Sequence, residues 1–481
     1  MPRRWVSLPP TLEHSTTGGE ARLVGLPAAI SLLTATIHSS AQDLRRVIGF
    51  AGGVALIVGI TIGGGIFRKP PTIAGLVPNP IVIVALWTAF GVISICGALA
   101  VAELSSLLPR PGGVYVFLRE AYGDAAAFVF GWLYVFVTTP TAVAALAVVF
   151  AEFLLNLLGV SASPFTVQAI GIAAIVSLTW ANVLGARVGA AVSEVTTLVK
   201  VSALAAIILG AFLLGHGSLS NIGAGGAVHG SGLARAVASV IWTYDGWIAV
   251  SMIAGEVVAP ERLMKRIIIV GMLVIVTLYI GANLAYLYMM PVDVMAQQKE
   301  AIARTVMTAI AGRAGGAVIM LAIITSVFGA LNGNLLAKPR VAYAMARDGL
   351  TFSFLGNIHQ RWATPWAALI IQGAVAIIMV LVLRDFDTLT TYFVVVEWAA
   401  LIFAVAAVFV LRRKMADAPR PFRTPVYPWV PLLFVLGTVV GVSAIVWGEI
   451  QVGNFSPIYG LAIALAGFPV HHLWKRLKRT S

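Results

Sequence analysis

The sequence has few charged residues. Only 11% of its 481 residues are Asp, Glu, Lys or Arg and 59% are hydrophobic, whereas soluble domains carry about a quarter charged residues. This scarcity excludes an ordinary soluble enzyme, an intrinsically disordered protein and a nucleic-acid-binding domain. The single cysteine, Cys96, lies inside an apolar run, and a lone cysteine excludes an intramolecular disulfide.

Acidic residues are scarcer than basic ones. The chain has 19 Asp and Glu against 32 Lys and Arg, which gives a formal net charge of +13. In so apolar a chain, this excess is typical of cytoplasmic loops under the positive-inside rule, not of a polyanion-binding surface. A phosphate-binding loop that ends in Lys-Ser or Lys-Thr is also missing, so ATP-driven transport is not expected. Histidine and cysteine pairs at metal-ligand spacing are missing too, and we predict neither a metal nor a cofactor.

Long apolar runs dominate the sequence. A membrane-spanning helix needs about 20 mostly apolar residues, and about twelve such runs are present. They lie at about 48–75, 80–106, 124–158, 164–183, 188–215, 232–256, 265–290, 314–346, 364–383, 386–411, 426–448 and 455–474. These runs predict an all-α integral membrane protein with one polytopic domain over residues 44–481. We expect the N-terminal extension, residues 1–43, to be disordered.

Basic residues alternate between successive loops. If the first span starts in the cytoplasm, the inside loops carry about three times as many Lys and Arg residues as the outside loops. Both termini are therefore predicted to be cytoplasmic, which requires an even number of spans. We expect a multi-pass protein in a cell membrane of the bacterial inner-membrane type.

Two of the spans contain a helix-breaking cluster. The first span holds Gly63, Gly64 and Gly65, and the sixth holds the polar and aromatic run at 242–247. Freed backbone groups are tolerated inside a membrane only where protein or a ligand cavity covers them. The two spans are five apart, which predicts an inverted repeat of five helices, each copy beginning with a discontinuous helix. Repeat one then covers about 44–215 and repeat two about 232–411.

The two breaks predict a binding site for a zwitterion. The N–H groups of Gly64, Gly65 and Ile66 would form an anion nest suited to a carboxylate. Carbonyl groups freed before each break, from Thr61 and Ile62 and from residues 241–244, could accept hydrogen bonds from an ammonium group. Such a pair of subsites fits an α-amino acid better than a sugar or a lipid. The alternative for the glycines is a close crossing of two helices through small residues.

At these positions the sequence resembles the amino acid-polyamine-organocation (APC) superfamily of transporters, and within it the bacterial relatives of the L-type amino acid transporters. The resemblance covers nearly all of residues 45–475. Its motifs, in chain order, are Gly63-Gly64-Gly65-Ile66-Phe67, Ala102-Glu103-Leu104 with the Pro-Arg-Pro-Gly-Gly run at 109–113, Tyr244-Asp245-Gly246-Trp247, Gly255-Glu256-Val257 with Pro260-Glu261-Arg262, Leu331-Asn332-Gly333 with Arg340 and the run at 346–349, and Val396-Glu397-Trp398 with the run at 420–425.

The resemblance implies a five-plus-five inverted repeat, discontinuous helices 1 and 6, two extra C-terminal helices at about 426–474, and transport by alternating access. It also implies that Gly63, Gly64 and Gly65 recognise the substrate carboxylate and that Trp242 closes over bound substrate. Gly64 stands where the family has serine, so the backbone donors remain but a side-chain hydroxyl is lost. The candidate substrate-binding residues are Thr61, Ile62, Gly63, Gly64, Gly65, Ile66, Trp242, Thr243, Tyr244 and Asp245.

Lys200 lies deep in the fifth span, roughly 17 Å from its start at 1.5 Å per residue. The nearest acid in sequence, Glu194, is six positions away and off its helical face, so carbonyls, hydroxyls or a distant acid must receive the ammonium. In the resembling family a lysine here takes the place of the sodium ion of sodium-coupled relatives, which implies sodium independence. We take Thr325, Ser326 and Asn332 as candidate neighbours in a coupling site; the alternative is a purely structural lysine.

Four of the acidic residues within or near the spans belong to the motifs above. Asp245 could accept from a substrate ammonium, take part in proton coupling or cap a half-helix, and capping or local gating is the interpretation we favour. Glu103, Glu256 and Glu397 lie near helix ends, where snorkelling or pairing with loop arginines is the ordinary explanation. None of these three is assigned a chemical role.

The leading hypothesis is a sodium-independent secondary transporter of small neutral L-amino acids that works as an exchanger or with a proton. One alternative is a cationic amino acid or polyamine carrier with Asp245 as counter-charge, and another, of a different class, is a membrane-embedded amino acid sensor. An enzyme is not expected, because paired nucleophile and base or metal ligands at one depth are not found. The expected partners are the amino acid and the lipid bilayer, without nucleic acid, and the position of Cys96 within a span argues against a covalently attached subunit.

Overall fold

The protein is an all-helical bundle, described here from a computed structural model over residues 44–223, 225–298, 301–382 and 386–480. The predicted disorder of residues 1–43 lies outside the described residues. Twelve principal helices follow one another: α1 Phe50–Leu76, α2 Pro80–Leu107, α3 Asp124–Leu158, α4 Pro164–Val183, α5 Ala186–Leu214, α6 Gly230–Glu256, α7 Pro260–Met289, α8 Ile302–Arg347, α9 Trp366–Val382, α10 Phe386–Lys414, α11 Trp429–Gln451 and α12 Ser456–Thr480. Short helices at Val114–Tyr122, Ser220–Gly223 and Val292–Ala296 lie in the connections.

Ten of these helices are long and apolar enough to cross a membrane, with α10 counted from Phe393, and α9 is a shorter apolar helix. The all-α membrane fold predicted from the hydrophobic runs is therefore confirmed. We call the face where α1 begins the terminal side, because twelve alternating helices return the end of α12 to it. The other face is the opposite side.

Helices α1 and α6 form the centre of the bundle. In their most apolar stretches 83% and 89% of residues are buried, against 22% in α4 and 28% in α11. Central helices must cover their polar groups with protein, whereas outer helices present apolar side chains to lipid. The two broken helices are thus placed where freed backbone groups can be satisfied.

Both predicted helix breaks are present. In α1 the helix stops at Thr61 and resumes at Gly65. In α6 it stops at Tyr244 and resumes as a 3-10 helix at Trp247–Glu256. The two broken helices are five apart in chain order, and because five is odd, the second set of helices begins on the opposite side and is inverted. Helices α11 and α12 follow the two sets of five.

Three further irregularities shape the bundle. Helix α3 contains a π-helical turn over Tyr134–Thr138. Helix α8 has non-helical backbone angles at Ala311 and Gly312, so its first turns are set off from the rest. It is interrupted again near its end at Lys338, where Pro339 begins the last helical segment.

Candidate functional site

The break in α1 presents backbone donors toward the interior of the bundle. Residues 61–66 are all buried. The N–H group of Gly63 donates to the carbonyl of Thr61 at 3.0 Å. Gly64 is the N-cap of the helix that resumes at Gly65, and the first N–H groups of a helix have no partner within it. The N–H groups of Gly64, Gly65 and Ile66 are therefore the donors that this break makes available for an anion.

Close approach of α6 explains a glycine at position 65. A Cβ atom on Gly65 would lie 2.7 Å from Thr243 Oγ1 and 3.0 Å from Thr243 Cγ2. Gly246, just beyond the α6 break, has a φ of +108°, a backbone conformation that L side chains rarely adopt. Both breaks thus depend on glycine, one for space and the other for backbone geometry.

A small cavity lies between the two breaks. It has a volume of about 30 Å³, which is room for about two water molecules. Its lining comes from α1, α3, α6 and α8 and consists of Ile60, Thr61, Gly63, Gly64, Gly65, Ala142, Leu146, Trp242, Thr243, Asp245, Gly246 and Asn334. An amino acid requires a larger space, so the structure represents a closed state from which side chains must move to admit a ligand.

The structure brings most of the predicted binding residues to this cavity, and three of them face elsewhere. Ile62 and Ile66 are fully buried in the apolar core and are not part of the cavity lining described above. Tyr244 donates its hydroxyl to the carbonyl of Trp87 at 2.9 Å, between α6 and α2. Trp242 does line the cavity, and its ring meets Phe393 of α10 edge-on at 5.1 Å.

Carbonyls freed before the breaks already have protein partners. Tyr279 of α7 lies with its hydroxyl 2.8 Å from Thr61 O and 2.9 Å from Thr243 O. Ile62 O accepts from Lys200 Nζ at 2.7 Å and from the hydroxyl of Ser326 at 3.1 Å. A carbonyl has two lone pairs, and Thr61 O already faces both Tyr279 and the N–H group of Gly63, so of these two carbonyls Thr243 O is the one that keeps an acceptor position for a ligand.

Lys200 ties α5 to α1 and α8. Its side chain is fully buried, and Nζ lies 2.7 Å from Gly59 O, 2.7 Å from Ile62 O and 3.0 Å from Ser326 O. Three carbonyls satisfy the three N–H bonds of an ammonium group. Carbonyls of the first and eighth helices thus receive the lysine, and of the classes of partner that the sequence left open, backbone carbonyls are the ones present.

Of the three candidate neighbours of Lys200, one is bonded to it. Ser326 contributes its carbonyl. Thr325 donates to Leu321 O of its own helix at 2.8 Å. Asn332 joins α8 to α4 and α5, with its side-chain amide nitrogen 2.8 Å from Gly189 O and its side-chain oxygen 2.9 Å from the amide nitrogen of Asn182. Within the described ranges, Thr325 and Asn332 are thus engaged away from the ammonium.

Asp245 forms a local link between α6 and α10. Its carboxylate accepts from the indole nitrogen of Trp398 at 3.2 Å and from the backbone N–H of Gly246. Its environment also includes Lys338 of α8. Asp245 therefore sits at the cavity wall with donors from two helices around it.

Ion pairs seal the terminal side. Arg340 binds both carboxylate oxygens of Glu256 at 2.7 and 3.2 Å, and both side chains are at most 1% exposed. Glu103 accepts from Arg412 at 2.7 and 2.9 Å. The chain before α1 adds a parallel bridge between Ile48 and residue 257. Glu103 and Glu256 are thus paired with arginines, but Arg340 and Arg412 both lie within helices and not in the loops that were expected to supply the arginines.

Glu397 differs from that expectation. It lies inside the bundle, fully buried, and accepts from the hydroxyl of Tyr134 of the π-helical turn. The expectation of a helix-end, snorkelling carboxylate is wrong for Glu397, because α10 begins before the residue at Phe386 and continues far beyond it to Lys414.

The ion pair that closes the opposite side is less buried than the one on the terminal side. A polar vestibule of about 420 Å³ lies there, lined among others by Arg68, Glu152, Asn156 and Gln298. Arg68 and Glu152 form an ion pair between α1 and α3, with side chains 29% and 35% exposed. The terminal side is thus closed by a buried ion pair, and the opposite side by a partly exposed ion pair below a vestibule.

Sequence reasoning missed Tyr279, Asn334 and Lys338. Tyr279 lies in an apolar run, where one tyrosine carries no pattern. Lys338 precedes Pro339 and Arg340, so it looks in sequence like the basic end of a span. Asn334 and Lys338 are four residues apart and so share one face of α8. This spacing is the sequence signal that could have placed Lys338 near the cavity that Asn334 lines.

The broken helices, the central cavity and the two seals define a membrane transporter with a substrate site between discontinuous helices. Comparison with known proteins agrees: residues 48–467 match the sequence model of the amino acid permease family. The chain belongs to this family, within the APC superfamily, and is a transporter rather than an enzyme.

Three relatives align over nearly their whole lengths. The serine/threonine exchanger SteT of Bacillus subtilis (strain 168) is 30% identical over 446 residues, which cover 92% of this chain and 100% of the relative. The b(0,+)-type amino acid transporter 1 of Homo sapiens is 28% identical, covering 91% of this chain and 89% of the relative. The cystine/glutamate transporter of Homo sapiens is 28% identical, covering 90% and 86%.

Proposed function

We propose that this protein moves small neutral L-amino acids across the cell membrane by alternating access, without sodium, as an exchanger or together with a proton. The observation that carries the proposal is the pairing of helix-start N–H groups at Gly64 to Ile66, unpartnered among the described residues, with the acceptor carbonyl of Thr243 at the second break, around one cavity. A carboxylate at the former and an ammonium at the latter describe the common part of every α-amino acid. An exchanger among the relatives supports the exchange mode.

Sodium independence is supported by Lys200. Its ammonium occupies a set of three carbonyl oxygens at 2.7 to 3.0 Å from α1 and α8. Carbonyl oxygens freed at a broken helix are the ligands that a monovalent cation uses in transporters of this architecture. A fixed cation supplied by the protein makes an added one unnecessary. Lys200 and Ser326 are in contact and carry the proposed coupling, and Thr325 and Asn332, which bond elsewhere on α8, α4 and α5, complete the predicted coupling set.

The proposed role of Trp242, to close over bound substrate, is supported by its position. It stands at the cavity wall on the last turn before the α6 break, with Phe393 against its ring. Rotation of its side chain would both enlarge the 30 Å³ cavity and open it. We therefore assign Trp242 the closing of the cavity over a bound amino acid.

The terminal side is proposed to be cytoplasmic, which follows from the excess of Lys and Arg in its loops. The protein would then be closed to the cytoplasm by the Arg340–Glu256 pair and separated from the outside by the Arg68–Glu152 pair. We also propose that it works without a covalently attached subunit, because Cys96 is buried within α2.

A cationic amino acid or polyamine remains the second candidate, favoured by the presence of Asp245 in the cavity lining. Trp398 and Gly246 already donate to its carboxylate. These donors hold Asp245 in place but do not cancel its charge, so the charge preference of the cavity depends on further groups.

The direct test is uptake of labelled L-alanine, L-leucine, L-arginine and putrescine into proteoliposomes, with and without sodium, a pH gradient and unlabelled amino acid inside. We expect uptake of L-alanine and L-leucine that is indifferent to sodium and is lost in Lys200→Met. Lys475→Met is the matched control, because Lys475 is exposed on α12. Stimulation by internal amino acid identifies exchange, and stimulation by the pH gradient identifies proton coupling.

Two results would overturn the proposal. Uptake restricted to L-arginine or putrescine would assign the chain to cationic substrates. Dependence on sodium would contradict the role given to Lys200.

A further inference from the structure

A buried charge cluster lies directly behind the cavity. It consists of Asp245 of α6, Lys338 of α8 and Glu397 of α10, which are far apart in sequence. Lys338 is 1% exposed and Glu397 is fully buried. Asp245 belongs to the cavity lining, and so does Asn334, one helical turn before Lys338. The cluster therefore adjoins the space that a substrate side chain would enter.

Lys338 has an unusual environment for an ammonium group. Its Nζ atom lies 5.5 Å from the ring centroid of Tyr134 and 5.1 Å from that of Phe393. Within the described part of the chain, Nζ has no hydrogen-bond partner. A buried ammonium is costly unless its charge is compensated, and the two rings supply only part of that compensation. The remainder must come from nearby carboxylates.

The positive charge of Lys338 interacts electrostatically with both carboxylates of the cluster. Their hydrogen bonds come from neutral groups: Asp245 accepts from Trp398 and from the Gly246 backbone, and Glu397 accepts from Tyr134. Tyr134 begins the π-helical turn in α3, an irregularity found frequently at functional sites. Neutral donors orient a carboxylate but leave its charge, so Lys338 is the cation of this cluster and can compensate one of its two carboxylates.

We propose that Lys338 is a built-in counter-ion of Asp245 that excludes cationic side chains from the substrate cavity, and so sets its preference for neutral amino acids. The inference rests on the proposed amino acid transport and names the residue behind its charge selectivity. With Lys338 in place, the guanidinium of arginine would meet a carboxylate that is already compensated and a like charge nearby. Both effects disfavour arginine relative to alanine.

Removal of the Lys338 charge leaves two carboxylates without a cation. The cluster can then reduce its negative charge by binding protons or by accepting a cationic substrate side chain. These two routes compete, because a protonated Asp245 does not attract arginine. The gain in arginine binding should therefore grow with rising pH, as the carboxylates lose their protons.

The test is competition binding on the purified full chain, with labelled L-alanine displaced by unlabelled L-arginine or L-alanine. In Lys338→Met we expect the affinity for L-arginine relative to L-alanine to rise about tenfold or more over the wild type. The rise should be larger at high pH and should disappear in the double variant Lys338→Met/Asp245→Asn. Lys338→Arg keeps the charge and should keep the discrimination, and Lys475→Met, far from the cavity, should behave as the wild type.

Binding is measured because it does not require the variant to complete the transport cycle. If Lys338→Met does not give folded protein, Lys338→Gln removes the same charge with a polar side chain and is judged by the same ratio. An unchanged arginine-to-alanine ratio in whichever variant binds alanine overturns the inference. A wild type that binds arginine as well as alanine also overturns it and leaves amino acid transport standing. A wild type that binds none of the amino acids contradicts the proposed function itself.

Discussion

The hydroxyl of Tyr279 lies 2.8 Å from the carbonyl of Thr61, the last residue of the first half of α1. The same hydroxyl lies 2.9 Å from Thr243 O in the last turn before the break of α6. One side chain of α7 thus contacts both broken helices at the points where they stop. Tyr279 is packed against Trp87 and Tyr244, with ring centroids 5.7 and 5.1 Å away, which fix its ring.

Removal of this hydroxyl should loosen the two breaks relative to each other. For Tyr279→Phe we expect a loss of about 1 kcal/mol in folding free energy, as for one net hydrogen bond. Uptake should fall more steeply than stability, because the carbonyl of Thr243 loses its positioning toward the ligand. Thermal unfolding and amino acid uptake of the same preparation test this. Tyr286→Phe is the control, because its ring is buried on the same helix and its hydroxyl has no hydrogen-bond partner within the described residues. Equal effects of the two variants would contradict the role of Tyr279.

The sequence predicts the helix order and both breaks because glycine runs and polar clusters are plain departures from apolar runs. It also predicts the partners of Lys200 by class, since a lysine so deep in a membrane must find carbonyls or hydroxyls. The contacts of Tyr279 and the cluster around Lys338 could not be predicted in this way. They join residues separated by 36 to 218 positions in the case of Tyr279, and no periodicity within a single helix records such pairs.

Glu397 is a residue whose environment was predicted from the sequence and predicted wrongly. In sequence it stands inside an apolar stretch before a basic loop, and its charge suggests a helix end. In the structure a tyrosine from the π-helical turn of α3, 263 positions earlier, accounts for its burial. The packing of α3 against α10 supplies a hydrogen-bond donor for this carboxylate, and Lys338 of α8 supplies a nearby positive charge.

Substitution of Gly65 tests the close contact between the two broken helices. In Gly65→Ala the new Cβ would approach Thr243 Oγ1 to 2.7 Å, so α1 and α6 must separate or Thr243 must turn into the cavity. We expect uptake to be largely abolished, with destabilisation of about 1–3 kcal/mol, as for overpacking of a core. Gly49→Ala, where a Cβ meets nothing within 4 Å, is the matched control. Wild-type uptake by Gly65→Ala would show that this spacing is not needed for binding.

The orientation of the chain can be measured with single cysteines. Replacing the buried Cys96 by alanine gives a cysteine-free background. Ser353→Cys reports on the terminal side, after α8, and Ser161→Cys on the opposite side, between α3 and α4; both positions are exposed. A membrane-impermeant maleimide added to intact cells should label Ser161→Cys alone and should reach Ser353→Cys only after permeabilisation. The reverse pattern would place the termini outside.

The buried ion pair Arg340–Glu256 should stabilise the terminal side more than any other single ion pair there. Glu256→Gln leaves the guanidinium of Arg340 buried without its charge partner, and loss of one partner of such a pair costs about 3–5 kcal/mol. We expect a large fall in thermal stability and increased labelling of cysteines introduced below the cavity, because the terminal seal opens. Replacing both partners by methionine should restore much of the stability, since an apolar pair leaves no uncompensated charge.

The comparison is Glu120→Gln on the same side, where the pair with Arg110 is half-exposed and should contribute about 1 kcal/mol or less. If Glu256→Gln proved as mild as Glu120→Gln, the seal would depend on helix packing and not on this ion pair.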